Sequence, residues 1–363
     1  MQIPGSELIA VGVFCSYFSI IAGLLFLILR SLPLSGARLG LGRAHVFILL
    51  ALTSFAHTWF YMFKFMAWSF RNYEQSKGIP STGQLIERMS RWLLNTSLFE
   101  QAWASVCFGK VNWWWSQQLC LYTVGAWTIF LSTEGRRHQV KIIWAYMLLG
   151  QLVAISVASN LFYLALVLAG PLPSQAVQRP SEQWAPSALW IPVLVSLGTI
   201  ATSPFTDDRT FLPNLLLMHF LIVIPLLVPD ALFHRPQNSK PFLSLTIPTL
   251  YILVFVAGLV MHTRATSAAL GDPALTVTEF AQSAWTVLHS HPAQSSIGWD
   301  VIWTSVSFVI WLILQPGQEL TGGSRRLVTA AYLLLATPLV SVGVLAPHVL
   351  RPREDELQEK KNA

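Results

Sequence analysis

The sequence is poor in charge. Only 11% of its 363 residues are Asp, Glu, Lys or Arg, against roughly 25% in an average soluble protein. Seventeen acids and 23 bases are too few to cover the surface of a soluble fold of this length. Cysteine is scarce too: Cys15, Cys107 and Cys120 form no CxxC pair and no metal-ligand spacing. A Cys107–Cys120 disulfide is conceivable, whereas Cys15 lies in an apolar stretch where it packs. The bases fall in short clusters rather than a stripe, so the net charge of +6 does not point to nucleic acid. Catalytic signatures are missing as well. There is no HExxH, no Walker A, no NxxxDxxxD of intramembrane prenyltransferases and no helical histidine box, and the Ser, His and Asp residues define no triad. The sequence therefore gives no reason to expect a metal or a cofactor.

What is present is apolar. Hydrophobic residues make up 53% of the chain, with 15 Trp and 21 Phe among them. A bilayer solvates such an exterior directly, and Trp settles at the headgroup boundary. The chain reads as an all-α polytopic transmembrane helix bundle, a single domain over 1–363. A span needs about 20 apolar residues to cross roughly 30 Å of hydrocarbon. By that measure there are about nine, with eight also plausible: 8–29, 46–68, 111–132, 141–169, 188–204, 211–228, 242–262, 299–314 and 327–346. The first is longer than the roughly 7–15 residues of a signal-peptide core, and no basic segment precedes it.

Three connections are long. Residues 75–110 form an interfacial segment with an amphipathic Leu/Trp-rich piece at Leu85–Leu94. Residues 170–187 are a Pro-, Ser- and Gln-rich loop. Residues 263–298 hold a helical stretch around Val277–Leu288. The charged tail 351–363 is expected to be disordered. Arg30, Arg38 and Arg43, then Arg136, Arg137 and Lys141, then the tail bases fall on one side of a nine-span chain. That side is expected to be cytosolic, with the N-terminus outside, although Arg325 and Arg326 fall on the opposite side. Asn95-Thr96-Ser97 is a glycosylation triplet on the lumenal side.

Polar groups inside spans are costly, about 2.5–3.5 kcal/mol for a charge at the centre, so each one is informative. His57, Tyr61, Lys64 and Trp68 share one face of the second span. They are either a polar cavity wall or interhelix glue with Lys64 snorkelling. Glu100 sits among apolar and aromatic neighbours, as a proton donor or as the ion-pair partner of Lys110 or Arg91. The Trp113-Trp114-Trp115 cluster reads as an interfacial belt, although Trp115, Gln118 and Tyr122 share an inward-capable face. Ser156, Asn160 and Tyr163 line one face of the fourth span, as interhelix hydrogen bonds or as a substrate contact. Asp207-Asp208 lacks the third carboxylate of an Asp-rich Mg²⁺ box. It reads as a helix-capping loop, or as an Asp208–Arg209 pair at a cavity mouth. Asn214 and His219 follow on different helix faces. Asp300, Trp303, Thr304, Ser307 and Trp311 line up on the eighth span. An acid beside indole faces suits carbocation chemistry, and a helix-start acid favoured by the dipole is the plainer alternative.

Five segments resemble fungal membrane-bound terpene cyclases of the ascofuranone type: Trp92–Glu100, Asn112–Leu119, Ala154–Ala165, Phe211–Pro225 and Ser295–Asp300. The resemblance implies a metal-independent enzyme that protonates the terminal epoxide of a farnesyl chain on an aromatic or polyketide core and lets it cyclise. It also implies residence in the endoplasmic reticulum and a lipophilic prenylated substrate drawn from membrane lipid. Under that reading Asp300 or Glu100 is the acid. Asp208, Arg209, Asn160, His219, Trp303, Tyr163 and Trp115 are further candidates for the site. Neither nucleic acid nor an obligate protein partner is expected. A transporter or a non-catalytic scaffold for a lipophilic metabolite are the alternatives.

Overall fold

The computed structural model describes residues 5–33, 37–79, 82–170, 184–229, 245–271, 276–314, 331–337 and 340–351. The fold is all-α. Two-residue strands, β1 (Trp184–Ala185) and β2 (Leu245–Thr246), form one antiparallel pair. Arg325 and Arg326, the tail beyond 351 and most of the 170–187 loop lie outside the described residues.

Among the described residues, five helices are long and apolar enough to cross a membrane. α1 (Gly5–Ser31) turns most of its surface outward, exposing Leu8, Ile9, Val13, Ile20 and Phe26. α2 (Ala37–Ser76) is far longer than the expected 46–68. No Pro or Gly interrupts Arg71-Asn72-Tyr73-Glu74, so the helix continues to Ser76. α3 (Leu85–Asn95) and α4 (Leu98–Cys107) fill the expected interfacial segment. Glu7 and Glu74 hold α3 from α1 and α2. Ser90 donates to Glu7 at 2.6 Å, and Arg88 grips Glu74 through Nε and Nη2 at 2.5 and 2.7 Å.

α5 (Lys110–Leu121) continues without interruption through a π-turn at Tyr122–Trp127 into α6 (Thr128–Arg137). The expected fourth span is two helices, α7 (Ile143–Leu152) and α8 (Ile155–Ala169), divided at Val153–Ala154. α9 (Ser187–Thr202) spans as expected. The next span is likewise divided, into α10 (Phe211–Leu221) and the short α11 (Ile224–Leu227).

α12 (Ile247–Leu270) extends eight residues beyond the expected end, because the Ser/Ala-rich stretch before Gly271 (φ +66°) sustains a helix. α13 (Val277–Ser290) begins with a reciprocal Thr276–Glu279 capping box, and α14 (Pro292–Leu314) starts well before residue 299. A helical piece at 331–337 and α15 (Val342–Arg351) occupy the last expected span.

α8 lies at the centre. Every residue from Ile155 to Leu168 is buried, packed by α2, α7 and α14. Gly343 brings α15 onto α5. A Cβ there would lie 2.7 Å from Leu121 Cβ and 2.8 Å from the Gln118 carbonyl oxygen, so only glycine permits that crossing.

Candidate functional site

The break between α7 and α8 carries neither Pro nor Gly. Ala154 at the N-cap of α8 is extended (φ −171°, ψ 140°) and has no side-chain acceptor. The first N–H groups of a helix have no partner within it, and leaving them dry inside a bilayer costs several kcal/mol each. A different helix satisfies them. Asp300, on α14, accepts from the Ile155 N–H at 2.9 Å through one carboxylate oxygen and from the Ser156 N–H at 2.8 Å through the other. On the far side of the break, the Leu152 carbonyl accepts from the Tyr17 hydroxyl of α1 at 2.5 Å. The Gln151 amide donates to the His219 carbonyl at 3.1 Å. Non-helical backbone in an apolar interior persists only where its polar groups find partners or line a cavity, and here they do both.

The cavity it lines has a volume of about 370 Å³, within the roughly 300–1,000 Å³ of small-molecule sites. The walls are mostly apolar. α2 contributes Thr58, Met62, Phe65 and Met66, and α4 contributes Leu98, Phe99, Ala102 and Trp103. Leu215, Met218 and Ile222 close it from α10 and its end, and Ala293 and Ile297 from α14. Few polar groups look in, and the ionisable ones that matter are Asp300 and His219. His219 Nδ1 lies 2.8 Å from the Leu215 carbonyl. A carbonyl only accepts, so Nδ1 carries the proton and Nε2 presents its lone pair. The Trp103 ring stacks on this imidazole, with centroids 5.9 Å apart.

Asp300 and His219 are thus the two sequence candidates that share the cavity. The others lie elsewhere. Glu100 is half-buried on α4 and absent from the wall, because Leu98, Phe99, Ala102 and Trp103 take the inward face. Asp208 and Arg209 are exposed on a surface turn. That turn is organised by Asp207, whose Oδ1 accepts from the Arg209 and Thr210 N–H groups and the Thr210 hydroxyl. The same contacts, the Thr210 hydroxyl foremost, hold the Asp207 carboxyl below the usual aspartate range.

Trp115 is buried with its N–H on the Ala284 carbonyl, and Trp114 donates to the Thr266 hydroxyl, so both belong to the core rather than to an interfacial belt. Trp303 donates to His57 at 3.2 Å, and His57 packs on Trp299 at 4.2 Å. The His57–Trp68 face of α2 is therefore not the cavity wall; the adjacent face with Thr58, Met62, Phe65 and Met66 is. Lys64 points outward over Phe60 and Tyr61. Tyr163 is fully buried, its hydroxyl 3.0 Å from that of Tyr122, and Asn160 is buried beside it on α8; neither reaches the cavity. Cys107 and Cys120 are free thiols in the cavity wall, not a disulfide.

Sequence reasoning missed Tyr17, Gln151 and Trp103. A hydroxyl in an apolar span carries no mark of which carbonyl it will meet. Among the described residues, no cluster of three or more His, Cys, Asp or Glu is close enough to hold a metal.

Residues 250–354 match a family described as a protein of unknown function, DUF2834. The match runs from α12 through α15 and includes Asp300, but it leaves out α8 and His219. No curated protein and no solved structure matches the chain.

Proposed function

We infer that the protein is a multi-pass membrane enzyme that opens the terminal epoxide of a farnesylated aromatic or polyketide compound and cyclises it. The observation that carries this reading is a mostly apolar cavity with one carboxyl group and one open imidazole nitrogen in its wall. A prenyl chain dissolved in lipid fits such walls, and acid–base chemistry needs no more ionisable groups than these two.

In the reaction, the Asp300 carboxyl donates its proton to the epoxide oxygen as the C–O bond breaks. The electron pair of the neighbouring alkene, or of the phenol oxygen, closes the ring. His219 Nε2 takes the proton released at the end, and return of that proton to Asp300 makes the reaction an isomerisation. The Trp103, Phe65 and Phe99 rings flank the developing positive charge.

The chain is proposed to cross the endoplasmic reticulum membrane about nine times. Five crossings are the long helices. The other four are the Lys110–Arg137 helix, the α7–α8 pair, the α10–α11 pair and the C-terminal pieces.

One observation favours a second reading. Broken helices whose ends face a cavity are the architecture of secondary transporters, and the α7–α8 break has that form. Microsomes holding the protein, given an epoxyfarnesyl phenol, separate the two. Loss of the oxirane signals by NMR at constant mass supports catalysis. Saturable uptake of the intact epoxide into sealed vesicles supports transport instead.

A further inference from the structure

The polar lines on α8 and α14 meet in a seam that the cavity does not use. The two helices run parallel: Ile155 and Ser156 meet Asp300, and further along Tyr163, eight residues after Ile155, stacks at 5.2 Å on Trp311, eleven residues after Asp300. Between these levels lie Ser159 and Asn160 on one helix and Thr304 and Ser307 on the other, all at 0% exposure. None of the four lines the cavity. Among the described residues, both polar atoms of the Asn160 side chain and the Ser307 hydroxyl have no hydrogen-bond partner, while the Ser159 hydroxyl lies beside the Tyr122 hydroxyl. The Ser156 and Thr304 hydroxyls stand beside the Asp300 carboxylate without reaching hydrogen-bonding geometry.

A dry seam of this kind is expensive, because each buried polar atom left alone carries its full desolvation penalty. Buried polar groups in folded proteins are met by protein or by ordered water. The spacing suits water. Four residues of helix rise about 6 Å, close to the reach of two hydrogen bonds through one bridging molecule. Asn160 offers both donors and an acceptor, and the hydroxyls can turn either way.

We propose that a chain of internal water molecules fills the seam between α8 and α14, from the Asp300 carboxylate past Asn160 and Ser307 to the Tyr163–Tyr122 hydroxyl pair. The water solvates Asp300 from the side away from the cavity. The carboxyl can then exchange its proton with water on that side while the cavity walls stay apolar. The inference goes beyond the proposed reaction and holds whatever molecule the cavity binds.

The test uses the full-length protein in detergent micelles. Ser307→Ala removes one hydroxyl and little else. If water fills the seam, it lowers Tm by about 2–4 °C, because water molecules lose a partner. If the seam is dry, removing that unpartnered hydroxyl leaves Tm unchanged or raises it, and the proposal falls. Asn160→Leu is expected to lower Tm further but also changes shape, so Ser307→Ala decides. A map fine enough to show water elsewhere in the core is a second readout. Water-sized density within hydrogen-bonding reach of Asn160 and Ser307 is expected, and an empty seam in such a map would overturn the proposal.

Discussion

Two aspartates in this protein do the same local job in opposite surroundings. Asp207 and Asp300 each accept two backbone N–H groups at the start of a helix or turn. Asp207 caps its own turn, three residues away at most, in contact with solvent. Asp300 caps a helix about 145 positions away in sequence, inside the bundle, with 5% of its surface accessible. Water can replace the first carboxylate as a partner for the backbone. The partners of the second are the first N–H groups of another helix, so the carboxylate holds together two helices and a cavity wall at once.

Removing Asp300 is therefore expected to have the largest effect. Asp300→Ala leaves two buried donors without partners at about 1–3 kcal/mol each. Thermal unfolding in micelles should show a loss of about 3–5 kcal/mol, at the upper end of single-substitution effects. Asp300→Asn keeps one acceptor oxygen. It should cost about half as much, remain folded, and fail to turn over the epoxide. Tyr17→Phe sharpens the comparison at the other side of the break. It strands only the Leu152 carbonyl and should cost about 1 kcal/mol.

At the exposed site the change is smaller and depends on pH. The Asp207 carboxyl is held below its ordinary range, so its contribution is present above the unfolded-state value near ~3.9 and fades as pH falls through the folded one. A stability difference between wild type and Asp207→Asn should shrink below about pH 4, read by denaturant midpoints. Smallest of all, Glu100→Gln should leave turnover at the wild-type level, since its side chain is not in the cavity wall.

The same pair explains what the sequence could reveal. Asp207 is legible as a turn-forming residue because its partners are its neighbours, although the helix that follows starts at Thr210 without a side-chain cap. Asp300 was readable as an acid among indoles, and the Asp300–Thr304–Ser307 and Ser156–Asn160–Tyr163 lines followed from helical spacing. Its partner was not readable, because Gln151-Leu152-Val153-Ala154-Ile155 contains no helix breaker and reads as continuous apolar span. The helix parts there because Tyr17 and Asp300 supply, from other elements, the bonds that an unbroken helix would make internally. Glu100 and Trp115 show the converse. Their chemistry is evident in sequence, but which face of α4 or α5 turns inward depends on packing against α2, α13 and α14. The Trp pair was drawn into the core by the Thr266 and Ala284 oxygens, which no local pattern announces.

The account rests on Asp300 as the acid of an intramembrane cavity, and one measurement bears on that most directly. Wild-type protein, Asp300→Asn and Glu100→Gln are purified in micelles, checked for folding by thermal unfolding, and given an epoxyfarnesyl phenol. Loss of the oxirane signals is then followed by NMR. Conversion by the wild type and Glu100→Gln, and none by folded Asp300→Asn, is the predicted result. Full conversion by folded Asp300→Asn would contradict it.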